Sequence, residues 1–127
     1  MRLRLTRLTL LFAALFALSG EASPPSVRML VQSSPLAGFQ YYSGSIHWQE
    51  MRVGDTLTLV READNPHDAS AVRVEWRGEK LGYLPRMENR EVAAEMDRGG
   101  QVEARIAALT EHPNPWKRLR IEVFVVL

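Results

Sequence analysis

From Val27 onward the apolar positions of this chain recur mostly at every second residue, the period of a strand with one buried face. Val27–Gln32 (VRMLVQ), running into Ser33-Ser34-Pro35, predicts a first strand that ends in a loop. Phe39–Ser43 is aromatic-rich and bounded by Gly38 and Gly44, which predicts a short strand or strand end. After a turn at Arg52-Val53-Gly54-Asp55, Thr56–Glu62 (TLTLVRE) alternates as a half-buried strand. Ala71–Trp76 and Lys80–Leu84, joined through Arg77-Gly78, predict a β-hairpin closed by Pro85. The rhythm then changes. In Glu88–Arg98 the apolar residues Val92, Ala93 and Met96 fall at three- and four-residue spacing and Gly99-Gly100 follows, so this segment predicts the one principal helix. Strand period returns in Gln101–Leu109 through Val102, Ala104, Ile106 and Ala108. Thr110–Lys117 is a Pro-rich loop carrying Trp116, and the β-branched, apolar Leu119–Leu127 predicts a buried final strand.

Six or seven short strands with one principal α-helix predict a mostly β domain. A small antiparallel sheet of this kind removes its vulnerable edges most completely by closing into a barrel. The length, 127 residues, suits one domain with its own core.

The start of the chain follows a different pattern. Arg2, Arg4 and Arg7 precede the uncharged run Leu8–Leu18 (LTLLFAALFAL), and small residues follow at Ser19-Gly20-Glu21-Ala22. This three-part order predicts a cleaved secretory signal peptide over residues 1–22, with the mature protein periplasmic. The run is well short of the roughly 20 residues a spanning helix needs, so no stable membrane anchor is expected. Translation from Met29 would instead make the domain cytoplasmic. Residues 23–30, with Pro24 and Pro25, read as a linker and the start of the first strand, and residues 31–127 as the folded domain.

The leader alters the charge balance. The whole chain has 16 basic and 15 acidic side chains; removing three Arg and one Glu leaves 13 against 14, a net of −1. So nearly neutral a domain has no general field for drawing in polyanions, and any nucleic-acid binding has to come from a local site. With no cysteine there is no disulfide, and the core alone must hold the fold. His47, His67 and His112 lie far apart and lack Cys partners, so no metal or other cofactor is expected. The chain shows no Gly-rich phosphate loop, nucleophile elbow or paired-carboxylate signature, and it is read as a binding module, not an enzyme. A monomer is expected.

Residues 62–74 (EADNPHDASAVRV) concentrate side-chain oxygens between two strands. Asn65, restrained by Pro66, and Asp68 suit loop-shaping hydrogen bonds to their own backbone. They equally suit contacts to a ligand, since an ionised carboxylate accepts hydrogen bonds only and selects hydroxyl donors over phosphates.

Together with Leu36-Ala37-Gly38-Phe39-Gln40-Tyr41-Tyr42-Ser43-Gly44 and Lys80-Leu81-Gly82-Tyr83-Leu84-Pro85-Arg86, this loop resembles the HIRAN domain in order and spacing. The resemblance rests on the Tyr-Tyr-x-Gly and Asn-Pro-x-Asp-x-x-Ala-Val elements and runs from about Val31 to Ala108. It implies a small OB-like or SH3-like barrel with helical additions. It also implies binding of a single-stranded DNA 3′ end, with catalysis left to helicase domains that this chain lacks. By this resemblance the contacts fall to Tyr41, Tyr42, Asn65, Asp68 and Tyr83. Adjacent residues of a strand face opposite ways, so one of Tyr41 and Tyr42 is expected to stack on a base and the other to serve phosphate. Gln40 stands where DNA-binding members carry a basic residue, which leaves phosphate contacts to Arg61, Arg86 or Lys117. An exported protein keeping this fold for another ligand or an envelope protein partner is the alternative reading.

Overall fold

The computed structural model describes residues 26–127. The expected signal peptide, and the linker up to residue 25, lie outside the described residues. Among the described residues six strands form one antiparallel sheet: β1 (Arg28–Pro35), β2 (Thr56–Arg61), β3 (Val72–Trp76), β4 (Glu79–Tyr83), β5 (Gln101–Leu109) and β6 (Leu119–Val126). Their order across the sheet is β1-β6-β5-β2-β3-β4. A short helix, α1 (Gly44–His47), follows a 3₁₀ turn at Phe39–Tyr41, and α2 (Arg90–Asp97) is the principal helix.

The alternation seen in the sequence is the burial pattern of the strands. In β6, Leu119, Ile121, Val123 and Val125 are buried while Arg120 is exposed. Val72, Val74 and Trp76 do the same in β3. These side chains meet Leu57, Ile106 and, from α2, Val92 and Ala93 in a single core. Trp76 is buried, and its indole N–H donates to Asp55 Oδ2 at 3.0 Å, which satisfies its polar edge. Arg77 and Gly78 make the tight β3–β4 turn, both at positive φ (47° and 79°), as a two-residue hairpin requires.

Two expectations are corrected. The sheet is not a closed barrel. The chain leaving β1 at Pro35 crosses to β4 and makes one isolated antiparallel bridge, with Ala37 N–H donating to Tyr83 O and Tyr83 N–H to Ala37 O, each at 2.9 Å. Gly38, at φ 79°, then turns the backbone away, so pairing stops after one residue. The bridge requires glycine opposite: a Cβ built on Gly82 would lie 2.2 Å from Ala37 O. The second correction is Phe39–Ser43, which is no strand. Its aromatic content reflects burial of Phe39 against Trp48, ring centroids 5.8 Å apart, inside a helical turn.

Candidate nucleic-acid interface

Of the expected site residues, Tyr42, Asn65, Asp68 and Tyr83 gather along β4 and the loop facing it, and a local irregularity decides how. In the β3–β4 ladder Val74 pairs with Gly82 but Glu75 pairs with Lys80, leaving Leu81 as an extra residue. Lys80 and Tyr83 are three apart and in a regular strand would face opposite ways. The bulge reverses the parity and brings both to one face. Lys80 Nζ sits 4.6 Å from the centre of the Tyr83 ring and 4.2 Å from that of Tyr42. The two rings meet edge to face, centroids 6.1 Å apart at 66°.

Tyr42 reaches this platform because the turn at Phe39–Tyr41 ends with Tyr42 in extended conformation, and Ser43 N–H then donates to Lys80 O at 3.1 Å. Tyr41 points away and is 76 % exposed. The adjacent tyrosines thus part company, one on the platform and one in solvent.

Beneath the platform lies a carboxylate. Tyr83 O–H donates to Glu62 Oε1 at 3.0 Å, Asn65 Nδ2 donates to the same oxygen at 3.0 Å, and Arg73 Nη1 donates to Oε2 at 2.8 Å. Burial opposes the charge on Glu62, but hydrogen bonds from Asn65, Tyr83 and Arg73 outweigh it and hold the carboxyl below its usual range. For Lys80 partial burial works against the charge, and the Tyr83 and Tyr42 hydroxyls outweigh it, raising its pKa. The platform therefore carries a fixed ammonium on one side of the rings and a fixed carboxylate at the Tyr83 hydroxyl.

Asn65 and Asp68 shape the loop. Asn65 Oδ1 accepts from the backbone N–H of His67 at 2.9 Å and of Asp68 at 3.2 Å. Asp68 Oδ1 accepts from Ser70 N–H at 2.9 Å, and Oδ2 from Nδ2 of the buried Asn89 at 2.7 Å. Each carboxylate oxygen of Asp68 keeps a second lone pair for another donor.

Of the cations expected to meet phosphate, Arg61 is engaged inside the protein. It donates to Asp97 Oδ1 at 3.0 Å and to the carbonyls of Ala69 and Ala71 at 2.6 and 3.1 Å, tying the loop to α2. Arg86 is exposed beyond Pro85. Lys117 is exposed in a 3₁₀ turn (Pro115–Lys117) that approaches the Phe39–Tyr41 turn within 8 Å between Cα atoms. The cation on the aromatic platform is Lys80, which sequence reasoning passed over, along with Glu62 and Arg73. The one signal that could have found Lys80 was Gly82 within a strand, a mark of a bulge or a close backbone approach. Among the described residues no cluster of His, Asp and Glu is arranged to hold a metal ion.

Comparison with known proteins agrees with this architecture. A protein from Lactobacillus plantarum superimposes with a TM-score of 0.69 at 23% identity, over 80% of this chain and 98% of its own. The HIRAN domain of human HLTF superimposes with a TM-score of 0.60 at 21% identity, over 78% of each chain. At these identities the likeness shows the fold. No curated protein sequence matches the chain. The sequence profile of the HIRAN domain matches residues 29–127, which takes in all but the first residue of β1 and every later element, and on that match the chain belongs to the HIRAN domain family.

Proposed function

We propose that the protein binds the 3′ end of single-stranded DNA on the face of β4. Membership of the HIRAN family supports a nucleic-acid-binding module, non-catalytic by itself. The observation that carries the finer reading is the Tyr42–Tyr83 pair with Lys80 Nζ over both rings. A base stacked on such rings gains about 1–3 kcal/mol whatever its identity, and an adjacent ammonium neutralises the phosphate beside it. Asp68, through its spare lone pairs, accepts the terminal 3′-hydroxyl and repels a 3′-phosphate. Arg86 and Lys117 supply further phosphate contacts.

Fluorescence anisotropy with short oligonucleotides tests the proposal. The parent protein is expected to prefer a 3′-hydroxyl over a 3′-phosphate by roughly tenfold or more, the worth of one charge-assisted hydrogen bond. Asp68→Ala should erase the preference and Tyr42→Ala should weaken both ligands alike. Lys80→Ala should weaken both and flatten the salt dependence. Equal affinity for both ends removes the end-binding reading, and no binding by the folded protein leaves an export module for another ligand or a protein partner.

Export is part of the same proposal and rests on the leader at residues 1–22. A chain begun at Met29 would lose Val27, whose carbonyl accepts from Leu127 N–H at 2.8 Å, and Arg28, which pairs with Glu103 at 2.6 Å. Mass spectrometry of the native N-terminus decides between the two starts.

A further inference from the structure

The loop of residues 62–71 crosses from β2 to β3, and α2 holds it from both of the helix's ends. At the last residue of the helix, Asp97 Oδ1 accepts from Arg61 Nε at 3.0 Å, and the same guanidinium donates to the carbonyls of Ala69 and Ala71. This anchor fixes backbone. Just before the first residue of the helix, Asn89 Nδ2 donates to Asp68 Oδ2 at 2.7 Å. This anchor fixes a side chain.

Among the described residues Asn89 and Ser34 are the only polar ones that are buried, and Asn89 is 1 % exposed. Burying an amide costs free energy unless it is hydrogen-bonded, so its partner shows what it is there for. At the start of a helix asparagine ordinarily serves the helix itself, its side-chain oxygen accepting from a first-turn amide. Asn89 does not: its own backbone is helical, at φ −89° and ψ −14°, and its side chain makes no cap. A carboxylate only accepts, so the amide must turn its NH₂ group toward Asp68, and chemistry fixes the orientation of the pair. The other carboxylate oxygen, Oδ1, accepts from Ser70 N–H at 2.9 Å. With a donor on each oxygen the carboxylate is pinned in its plane; without Asn89 it pivots about the Ser70 bond.

We infer that Asn89 is a positioning residue for the terminal nucleotide: buried as it is, it acts only through Asp68, and it sets the direction from which that carboxylate meets the 3′-hydroxyl. The inference rests on the end-binding reading above. A hydrogen bond weakens steeply once it bends below about 120°, so an acceptor tells a hydroxyl from a phosphate only where it is held in line with the sugar. A carboxylate free to turn toward water gains less from the hydroxyl and repels the phosphate less. Asn89 therefore governs selectivity between the two ends, whereas Arg61, which holds only backbone of the same loop, governs affinity for both.

Fluorescence anisotropy of the full chain, with one oligonucleotide sequence ending in a 3′-hydroxyl or in a 3′-phosphate, reads the ratio of the two affinities. Asn89→Ala is expected to weaken the hydroxyl-ended strand by about tenfold and to leave the phosphate-ended strand at the parent affinity or above it, so the ratio falls toward one. Asn89→Ser keeps a polar group at the buried position but is one bond too short to reach Asp68; it carries the same expectation and reads the bond should the alanine variant not fold. Arg61→Ala is the control, expected to weaken both strands alike and keep the ratio. If the Asn89 variants keep the parent ratio, or move both affinities together as Arg61→Ala does, Asn89 only builds the loop and the inference is overturned while the end-binding reading stands. A parent with equal affinity for both ends removes that reading, and this inference with it.

Discussion

The two edges of the sheet are finished in opposite ways. At β4 the outer backbone is covered by the chain itself: Ala37 bridges Tyr83, Ser43 bonds Lys80 O, and a network from Glu62 to Asn89 fixes the loop beyond. At β1, among the described residues, the outer backbone has no strand beside it, and the apolar side chains of Val27 and Met29–Val31 are exposed. The candidate site lies on the covered edge. A binding platform needs side chains held in place by packing and hydrogen bonds, whereas an edge for pairing needs its backbone groups unsatisfied.

The largest expected effect separates edge from interior. Val123 lies one strand in from the bare edge and is fully buried, so Val123→Asp should remove all of a stability of about 5–15 kcal/mol and leave an unfolded circular dichroism spectrum. Leu30→Lys, one strand outward, should keep the native spectrum.

Next comes the bridge. Gly82→Val places atoms where Ala37 O already lies, at a φ of 154°, and should lower stability by about 3 kcal/mol in urea unfolding. At the bare edge Met29→Ala should change the same measurement by no more than about 0.5 kcal/mol.

Acid sharpens the contrast further. Because the folded protein holds the Glu62 carboxyl below its usual range, that contribution is complete above the unfolded value and is lost as pH falls through the folded one. The Ala37 and Tyr83 amides should therefore exchange faster below the ordinary glutamate range, while amides of the β5–β6 ladder keep their protection. Glu62→Gln should remove most of this pH dependence and cost about 1–2 kcal/mol at neutral pH, since Arg73 loses a charged partner. The smallest effect belongs to Arg28→Ala, which breaks an exposed, solvent-screened pair and should leave the urea midpoint close to that of the parent.

Most of the fold was legible because alternation and burial coincide. The strands at Thr56–Arg61, Val72–Trp76, Gln101–Leu109 and Leu119–Val126, and the helix at Arg90–Asp97, fall within two residues of the sequence reading. Phe39–Tyr41 was misread because aromatic content reports burial, while the backbone there follows Gly38 and the packing of Phe39. Closure was misread because alternation says which face of a strand is buried and nothing of whether the outermost strands meet. In the site, Tyr41, Tyr42, Asn65, Asp68 and Tyr83 were singled out by motif; the structure strings the last four along one edge and leaves Tyr41 in solvent. Lys80 escaped because its direction depends on the extra residue Leu81, and Glu62 and Arg73 because an acid and a base eleven positions apart on different strands give no local signal.

The contact between Leu127 N–H and Val27 O, at 2.8 Å, has a topological consequence. The two ends of the described chain finish side by side, so the backbone can be closed there and opened instead at an exposed turn. Such a unit can be spliced into a loop of a host protein with both junctions at one point on its surface. A circular permutant joined across that contact and cut at the exposed Arg77-Gly78 turn keeps every strand neighbour of the parent.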